Sequence, residues 1–86
     1  MTAVIEIQVK RSDYSRFQRA VEKFDWVLEC HHISGRTSFL LKIVVPSVSG
    51  LEALIGSLSV YGETFTSIVL STLVERRKLR RELREK

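Results

Sequence analysis

The sequence predicts an α+β protein of the ferredoxin-like class, in which a four-stranded antiparallel sheet carries two helices on one face. Three observations support this. The apolar patterns follow one another as strand, helix, two strands, helix and strand, which is the βαββαβ order of that class. Residues 27–46 hold two apolar runs around a polar break at residues 34–37, which is typical of a hairpin. At 86 residues, the chain has the length of one small domain.

The first strand and the first helix are predicted from two different apolar periods. Residues 3–9 alternate between apolar and polar, which is typical of a half-buried strand. Apolar residues then recur at helical spacing and predict a helix over residues 13–24, with Ser12 as its N-cap. The apolar stripe of that helix consists of Tyr14, Phe17, Val21 and Phe24.

The second half of the chain predicts the remaining four elements. The hairpin strands are expected at residues 26–34 and 37–45, and a proline at position 46 ends the second strand. Ser49 and Glu52 have the spacing of a capping box, so a second helix is expected to begin there and to end near Gly62. Residues 64–74 are rich in β-branched side chains and predict the last strand.

Both faces of the predicted sheet carry large apolar side chains, although two helices cover only one of them. We therefore expect a homodimer packed sheet against sheet, which also offsets the thin core of so short a chain. One cysteine excludes an intrachain disulfide as the stabilising device. The alternative is that these side chains are exposed singly, as many surfaces tolerate. The predicted interface residues are Leu28, Cys30, Leu40, Val44, Phe65, Val69 and Leu73.

The net charge of +4 lies entirely in the C-terminal segment. Residues 1–74 hold seven Lys or Arg and seven Asp or Glu, whereas residues 75–86 hold seven and three. A balanced domain argues against a nucleic-acid-binding face on the core. We therefore predict one domain over residues 1–75 and a basic tail over residues 76–86. The tail is either a solvated extension or a helix that binds an acidic partner or nucleic acid phosphates.

Patterns for several functional classes are missing from the sequence. No apolar stretch approaches the ~18 residues of a membrane span, and the N-terminus lacks a signal-peptide pattern, so a cytoplasmic protein is expected. His31 and His32 point to opposite faces of a strand and cannot hold one metal ion together. Cys30 is expected to be buried and has no orienting third group beside His32. We therefore predict no metal, no cofactor and no enzymatic activity.

The hairpin turn is the strongest candidate for a ligand site. Its four residues place backbone N–H groups, two hydroxyls and a guanidinium close together, and such groups can hold a carboxylate. Three hydroxyl-bearing residues near the start of the last strand offer further hydrogen bonds. The alternatives are an ordinary exposed turn and residues that simply favour a strand. The candidate ligand-binding residues are Gly35, Arg36, Thr37, Ser38, Thr64, Thr66 and Ser67.

Three segments resemble the C-terminal effector module, called the RAM domain, of leucine-responsive (Lrp/AsnC) transcription regulators. They are VLECHHISG at residues 27–35, FLLKIVVP at residues 39–46 and YGETFTSIVLS at residues 61–71. The resemblance extends over residues 3–77 and implies the same βαββαβ fold. It also implies sheet-packed dimers that assemble into rings, commonly octamers, with amino acids bound in clefts between dimers near the turn.

This sequence begins at the first strand of that module. The resemblance therefore implies a stand-alone RAM protein or an excised domain, lacking its own helix-turn-helix and able to co-assemble with relatives that carry one. Many family members have acidic residues after the turn glycine, in a Gly-Asp-Tyr-Asp-like pattern, whereas Arg36, Thr37 and Ser38 stand here. An acid at this point can pair with a ligand's ammonium group, but Arg36 suits a carboxylate instead.

The predicted function is to sense an amino acid or related small metabolite and to oligomerise, as part of Lrp/AsnC-type transcription regulation. One alternative is a purely structural assembly module with a degenerate pocket, which the missing turn acids favour. Another is an accessory protein that associates with nucleic acid through the basic tail.

Overall fold

The protein folds as the βαββαβ order predicts. In a computed structural model, which describes residues 1–77, the strands form one antiparallel sheet in the order β2-β3-β1-β4. This is the ferredoxin-like arrangement, so the predicted fold class is confirmed. The elements are β1 (Thr2–Val9), a 3-10 turn (Arg11–Asp13), α1 (Tyr14–Val21), β2 (Val27–His32), β3 (Phe39–Val44), α2 (Val48–Leu58) and β4 (Gly62–Ile68). Most of the predicted basic tail lies outside the described residues.

The core lies between the two helices and the odd-numbered residues of the central strands β1 and β3. Their side chains are almost completely buried because alternation along a strand places them all on one face. Each helix contributes one apolar stripe to the same core. The core residues of the strands are Ala3, Ile5, Ile7, Val9, Phe39, Leu41 and Ile43, and those of the helices are Phe17, Val21, Leu51, Leu54 and Leu58.

The opposite face of the sheet, which we call the open face, is not covered by either helix. Its apolar side chains within the strands are Val4 of β1, Leu40 and Val44 of β3 and Phe65 of β4. They alternate with polar ones, since Leu40 and Phe65 both pair with Glu6 and Val4 pairs with Lys42. Val44 is 40% exposed and Phe65 is 50% exposed. The polar residues of this face are Thr2, Glu6, Gln8, Glu29, His31, Lys42, Glu63 and Ser67.

A β-bulge in β2 changes the face on which its later residues lie. Val27 pairs with Ile43 and Glu29 pairs with Lys42, so Leu28 is the extra residue of the bulged strand. Cys30 consequently pairs with buried Leu41 and belongs to the helix side of the sheet. The prediction that Cys30 contributes to the open face was therefore wrong. Its predicted burial was wrong as well, because Cys30 is exposed at the uncovered edge of the sheet.

The last strand, β4, ends earlier than predicted because its pairing partner β1 begins only at Thr2. β4 pairs with β1, and β1 begins at Thr2, so the last backbone bond of the pair runs from the Val69 N–H to the Thr2 carbonyl at 2.9 Å. Val69 continues the open-face alternation beyond β4. Leu73, in contrast, lies outside the sheet and is 94% exposed, so its predicted place on the sheet face was wrong.

Both helix starts differ from their predictions. A 3-10 turn precedes α1, and neither Ser12 nor any other side chain caps its first turn, so the predicted Ser12 cap was wrong. α1 also ends three residues earlier than predicted, at Val21. α2 is capped by Ser47, whose Oγ accepts a hydrogen bond from the Gly50 N–H at 3.1 Å. The capping box predicted from Ser49 and Glu52 was therefore wrong.

The cap of α2 gives a direct test by substitution. Ser47→Ala removes the acceptor of the Gly50 N–H and is expected to lower the free energy of unfolding by about 1 kcal/mol. Ser49→Ala is the matched control because Ser49 only shares a hydrogen bond with the Ser47 hydroxyl at 3.0 Å, and it should cost much less. Urea unfolding of both variants at one protein concentration measures the difference. A larger loss from Ser49→Ala would contradict this assignment of the cap.

Candidate functional site

The turn between β2 and β3 requires glycine at one position. Gly35 has a φ of 114°, a left-handed conformation that side chains with a Cβ rarely adopt. The turn is closed by a hydrogen bond of 2.9 Å from the Ile33 N–H to the Ser38 carbonyl. Gly35 therefore sets the backbone path of Arg36, Thr37 and Ser38. Having no side chain, it contributes to the candidate site through its backbone conformation.

Ser38 attaches the turn to the end of β1. Its buried hydroxyl donates to the Val9 carbonyl and accepts from the Val9 N–H, both at 3.1 Å. Its own N–H donates to the Ile7 carbonyl at 3.0 Å. The Ser38 hydroxyl, which was predicted to bind a ligand, is thus engaged by the backbone of β1 as both donor and acceptor.

Thr37 connects the turn to the open face. Its side chain is almost completely buried, and its Oγ1 donates a hydrogen bond of 2.9 Å to Oε1 of Glu6. Glu6 is half-buried in the central strand β1, so the bond from Thr37 fixes the direction of the carboxylate. The second carboxylate oxygen of Glu6 has no side-chain donor among the described residues and remains available to a ligand.

A pocket of about 270 Å³ opens beside Thr37 on the open face, and we call it the turn pocket. It contains one cationic side chain from the turn, two acidic side chains from strands β1 and β4, and one aromatic side chain. Opposite charges in one small concave site suit a ligand that carries both charges itself. The lining residues are Glu6, Gln8, Arg36, Thr37, Glu63 and Phe65.

The residues predicted to bind ligand do not all meet at this pocket. Arg36 and Thr37 line it, and Ser67 lies further along the same face, opposite Val4. Thr64 and Thr66 lie on the helix side because they pair with the core residues of β1. They were predicted to offer further hydroxyls to a ligand, but they do not line the turn pocket because alternation along β4 places them on the other face.

Four lining residues were missed from the sequence, and all four come from β1 and β4. The strand order places β1 between β3 and β4, so polar residues of β1 lie next to both the turn and the last strand. Gln8 pairs directly with Glu63, and Glu6 pairs with Phe65. The signal was present in the sequence, since Glu6 and Gln8 alternate with core residues and must face away from the helices.

A second group of charged side chains lies on the open face along the edge strand β2 and its neighbour β3. Nε2 of His31 lies 2.8 Å from Oε1 of Glu29, and Glu29 pairs with Lys42 on β3. The hydrogen bond with His31 lowers the pKa of the Glu29 carboxyl, and the positive charge of Lys42 acts in the same direction. Within residues 1–77, no group of three His, Cys, Asp or Glu side chains is arranged to hold a metal ion.

Comparison with known proteins identifies the family of this chain. A family model described as the Lrp/AsnC ligand binding domain matches residues 2–79. The chain belongs to the Lrp/AsnC family. The resemblance seen in the sequence is thereby confirmed, and this family is one of transcription regulators.

Two curated relatives show how much of a longer regulator this Lrp/AsnC domain spans. The chain is 29% identical to the HTH-type transcriptional regulator LrpC of Bacillus subtilis, over 85% of this chain and 51% of that protein. It is 30% identical to the Leucine-responsive regulatory protein of Escherichia coli K12, over 87% of this chain and 50% of that protein. The chain therefore spans about half the length of the curated relatives it matches.

Solved structures agree with the fold of this Lrp/AsnC domain. The structure of Bacillus subtilis LrpC superimposes with a TM-score of 0.81 at 28% identity, over 87% of this chain and 54% of that chain. A complex of the regulator NMB0573 from Neisseria meningitidis with L-Met gives a TM-score of 0.82 at 22% identity, over 95% of this chain and 58% of that chain. At this identity, the similarity to NMB0573 is evidence for the fold alone. In the described part of this chain, no helix combines the length and apolarity needed to cross a membrane.

Proposed function

We propose that this Lrp/AsnC domain binds a free amino acid in the turn pocket and that binding changes how copies of the chain assemble. The observation that carries the proposal is the charge arrangement of the pocket. Arg36 supplies a guanidinium at one wall, while Glu6 and Glu63 supply carboxylates from the strands. An α-amino acid is a zwitterion and needs one partner of each sign.

Each lining residue has a role in this proposal. Arg36 forms a two-pronged hydrogen bond with the ligand carboxylate, since its planar fork matches that group. Glu6, held in place by Thr37, accepts from the ligand ammonium group together with Glu63. Phe65 provides an apolar wall for the side chain of the ligand. The strand acids thus take the place of the acids that many relatives carry after the turn glycine.

The size of the pocket restricts the ligand. About 270 Å³ lies just below the usual range for small-molecule sites, which favours a ligand as small as a free amino acid. The matching family model describes a ligand-binding domain, and a protein of similar fold was solved with L-Met. The family model supports a ligand-binding role, whereas the second finding supports the fold alone, so the choice of an amino acid rests on the charges that line the pocket.

The open face supports the second half of the proposal, which is a homodimer packed sheet against sheet. Leu40, Val44, Phe65 and Val69 form an apolar surface that a second copy can cover, with Leu28 at its margin. Phe65 belongs to both this surface and the turn pocket, so a bound ligand lies at the rim of the interface. The ligand acts on assembly only through a difference in its affinity for the two assembly states.

We further propose that the domain works by association and not by catalysis. Residues 1–75 form the folded unit, dimers combine into a higher oligomer such as an octameric ring, and relatives that carry a helix-turn-helix join the same assembly. Because the curated relatives are named as transcription regulators, we place this activity in the cytoplasm, where the regulated DNA lies. The basic tail is a separate segment, and its role does not enter the proposal.

Calorimetric titration with each of the twenty amino acids tests the binding step. One or a few neutral amino acids are expected to bind, and Arg36→Ala is expected to weaken their binding by roughly 10- to 100-fold, because a hydrogen bond to a charged group contributes about 1.5–3 kcal/mol. Arg19→Ala is the matched control, since Arg19 is exposed on α1 and does not line the turn pocket.

Light scattering with and without the bound amino acid tests the assembly step. The proposal expects the mass in solution to change on binding. If no amino acid binds and the mass is constant, the chain is a structural assembly module with a degenerate pocket. Equal losses of affinity in Arg36→Ala and Arg19→Ala would place the ligand elsewhere.

A further inference from the structure

A second pocket lies on the helix side of the sheet, between α1 and the edge strand β2, and we call it the edge pocket. It encloses about 380 Å³ and shares no residue with the turn pocket. The lining residues that matter here are Tyr14, Phe17, Glu22, Cys30, His32 and Phe39.

The edge pocket exists because of two local features of the chain. The bulge at Leu28 places Cys30 and His32 on the helix side of the sheet, opposite Leu41 and Phe39. α1 is only eight residues long and packs over the central strands, so it leaves residues 28–32 of the edge strand exposed. A concave surface with polar and aromatic groups therefore remains beside the helix.

Aromatic rings build the wall of the edge pocket and hold one another in place. His32 stacks on Phe39, with 4.9 Å between ring centroids and an angle of 24°. Tyr14 meets both rings edge-on, at 5.2 Å from His32 and 5.1 Å from Phe39. Phe17 closes the cluster at 4.8 Å from Phe39. Phe17 is fully buried and Phe39 is 7% exposed, so Tyr14 and His32 are the rings of this cluster that a ligand can reach.

The charge at the rim of the edge pocket selects the sign of a ligand. Among the residues that line it, Glu22 is the one Asp, Glu, Lys or Arg side chain, and it is acidic. Electron-rich ring faces add to the attraction for a cation. We propose that the edge pocket is a binding site for a small aromatic amine, with its ring against Tyr14 and His32 and its ammonium group at Glu22. This site is independent of the amino-acid site in the turn pocket.

Cys30 provides a built-in reporter of occupancy. It is the one cysteine of the chain, so any thiol reagent reports on this site alone. Cys30 is exposed to solvent at the pocket wall, so a thiol reagent can reach it, and partial desolvation raises the pKa of its thiol. A ligand seated on the rings covers the sulfur and slows its modification.

The experiment measures the rate at which methyl methanethiolsulfonate, a small neutral reagent, modifies Cys30 in the full chain, followed by mass spectrometry. Benzylamine is expected to slow the modification several-fold, while benzoate and cyclohexylamine leave the rate unchanged. Benzoate tests the sign of the charge, and cyclohexylamine tests the need for an aromatic ring.

Three variants make the outcome specific. Glu22→Gln is expected to remove the protection by benzylamine, whereas Glu52→Gln, an exposed acid on α2, keeps it. Arg36→Ala also keeps it, because the turn pocket takes no part. The proposal is overturned if all three probes protect alike or none does, or if Glu52→Gln acts like Glu22→Gln. It is also overturned if Cys30 is unreactive without any probe, since another copy of the chain then covers the pocket.

Discussion

Val44→Asp is expected to reduce the mass in solution to that of the monomer. Val44 lies on the open face at the β1–β3 pair and is 40% exposed in a single copy. In the proposed dimer it is covered by the sheet of the second copy, so an aspartate there is an unpaired charge out of water. Leu40→Asp, four residues away on the same face, is expected to have the same effect. Light scattering at a fixed protein concentration measures the mass directly.

The control for this prediction is an equally drastic change on another surface. Val60→Asp alters a side chain that is 71% exposed, follows α2 and does not belong to the open face. It should keep the mass of the unmodified protein. Circular dichroism shows whether each variant retains its secondary structure. A Val44→Asp or Leu40→Asp variant that is folded and keeps the full mass would refute the proposed interface.

The elements of this fold were predictable because each obeys one simple period. The odd-numbered residues of β1 alternate with polar ones, and the stripe containing Phe17 and Val21 recurs at helical spacing, so local sequence alone places both in the core. The start of α2 was harder to locate. Ser47 and Ser49 both precede the helix, and only the backbone path after Pro46 decides which hydroxyl meets the Gly50 N–H.

The candidate site was less predictable because it depends on the register between strands. The bulge at Leu28 moved Cys30 to the helix side, and nothing in the local sequence indicates where a bulge falls. The register of β4 likewise brought Glu63 beside Gln8. Strand pairing joins residues that are more than fifty positions apart, so no local pattern contains this information.

Gly62→Ala is expected to produce the largest loss of stability of any single methyl addition considered in this domain. Gly62 begins β4 and pairs with Val9, and a Cβ added there would overlap the carbonyl of Gln8. That carbonyl belongs to the backbone of the central strand, which cannot move without disturbing the pairing on both of its sides. We expect the free energy of unfolding to fall by about 3 kcal/mol or more, which is a large fraction of the stability of a small domain.

Gly56→Ala provides the matched control for this methyl addition. Gly56 lies inside α2, and a Cβ added there meets no atom within 4 Å. Alanine is also the better helix former, so this variant is expected to gain about 0.5–1 kcal/mol. Urea unfolding compares both variants with the unmodified protein at one concentration. If Gly62→Ala unfolded at the same urea concentration as the unmodified protein, the close approach of β4 to β1 would be refuted.

The same substitution also connects the stability of the sheet to the turn pocket. Glu63 and Phe65 line that pocket and stand on β4 immediately after Gly62. A shift of β4 away from Gln8 therefore moves both residues away from Arg36 on the other wall. In conditions where Gly62→Ala is still folded, its affinity for the amino acid should fall, while Gly56→Ala binds as the unmodified protein does. Unchanged affinity in a folded Gly62→Ala variant would mean that the β4 wall does not contribute to the site.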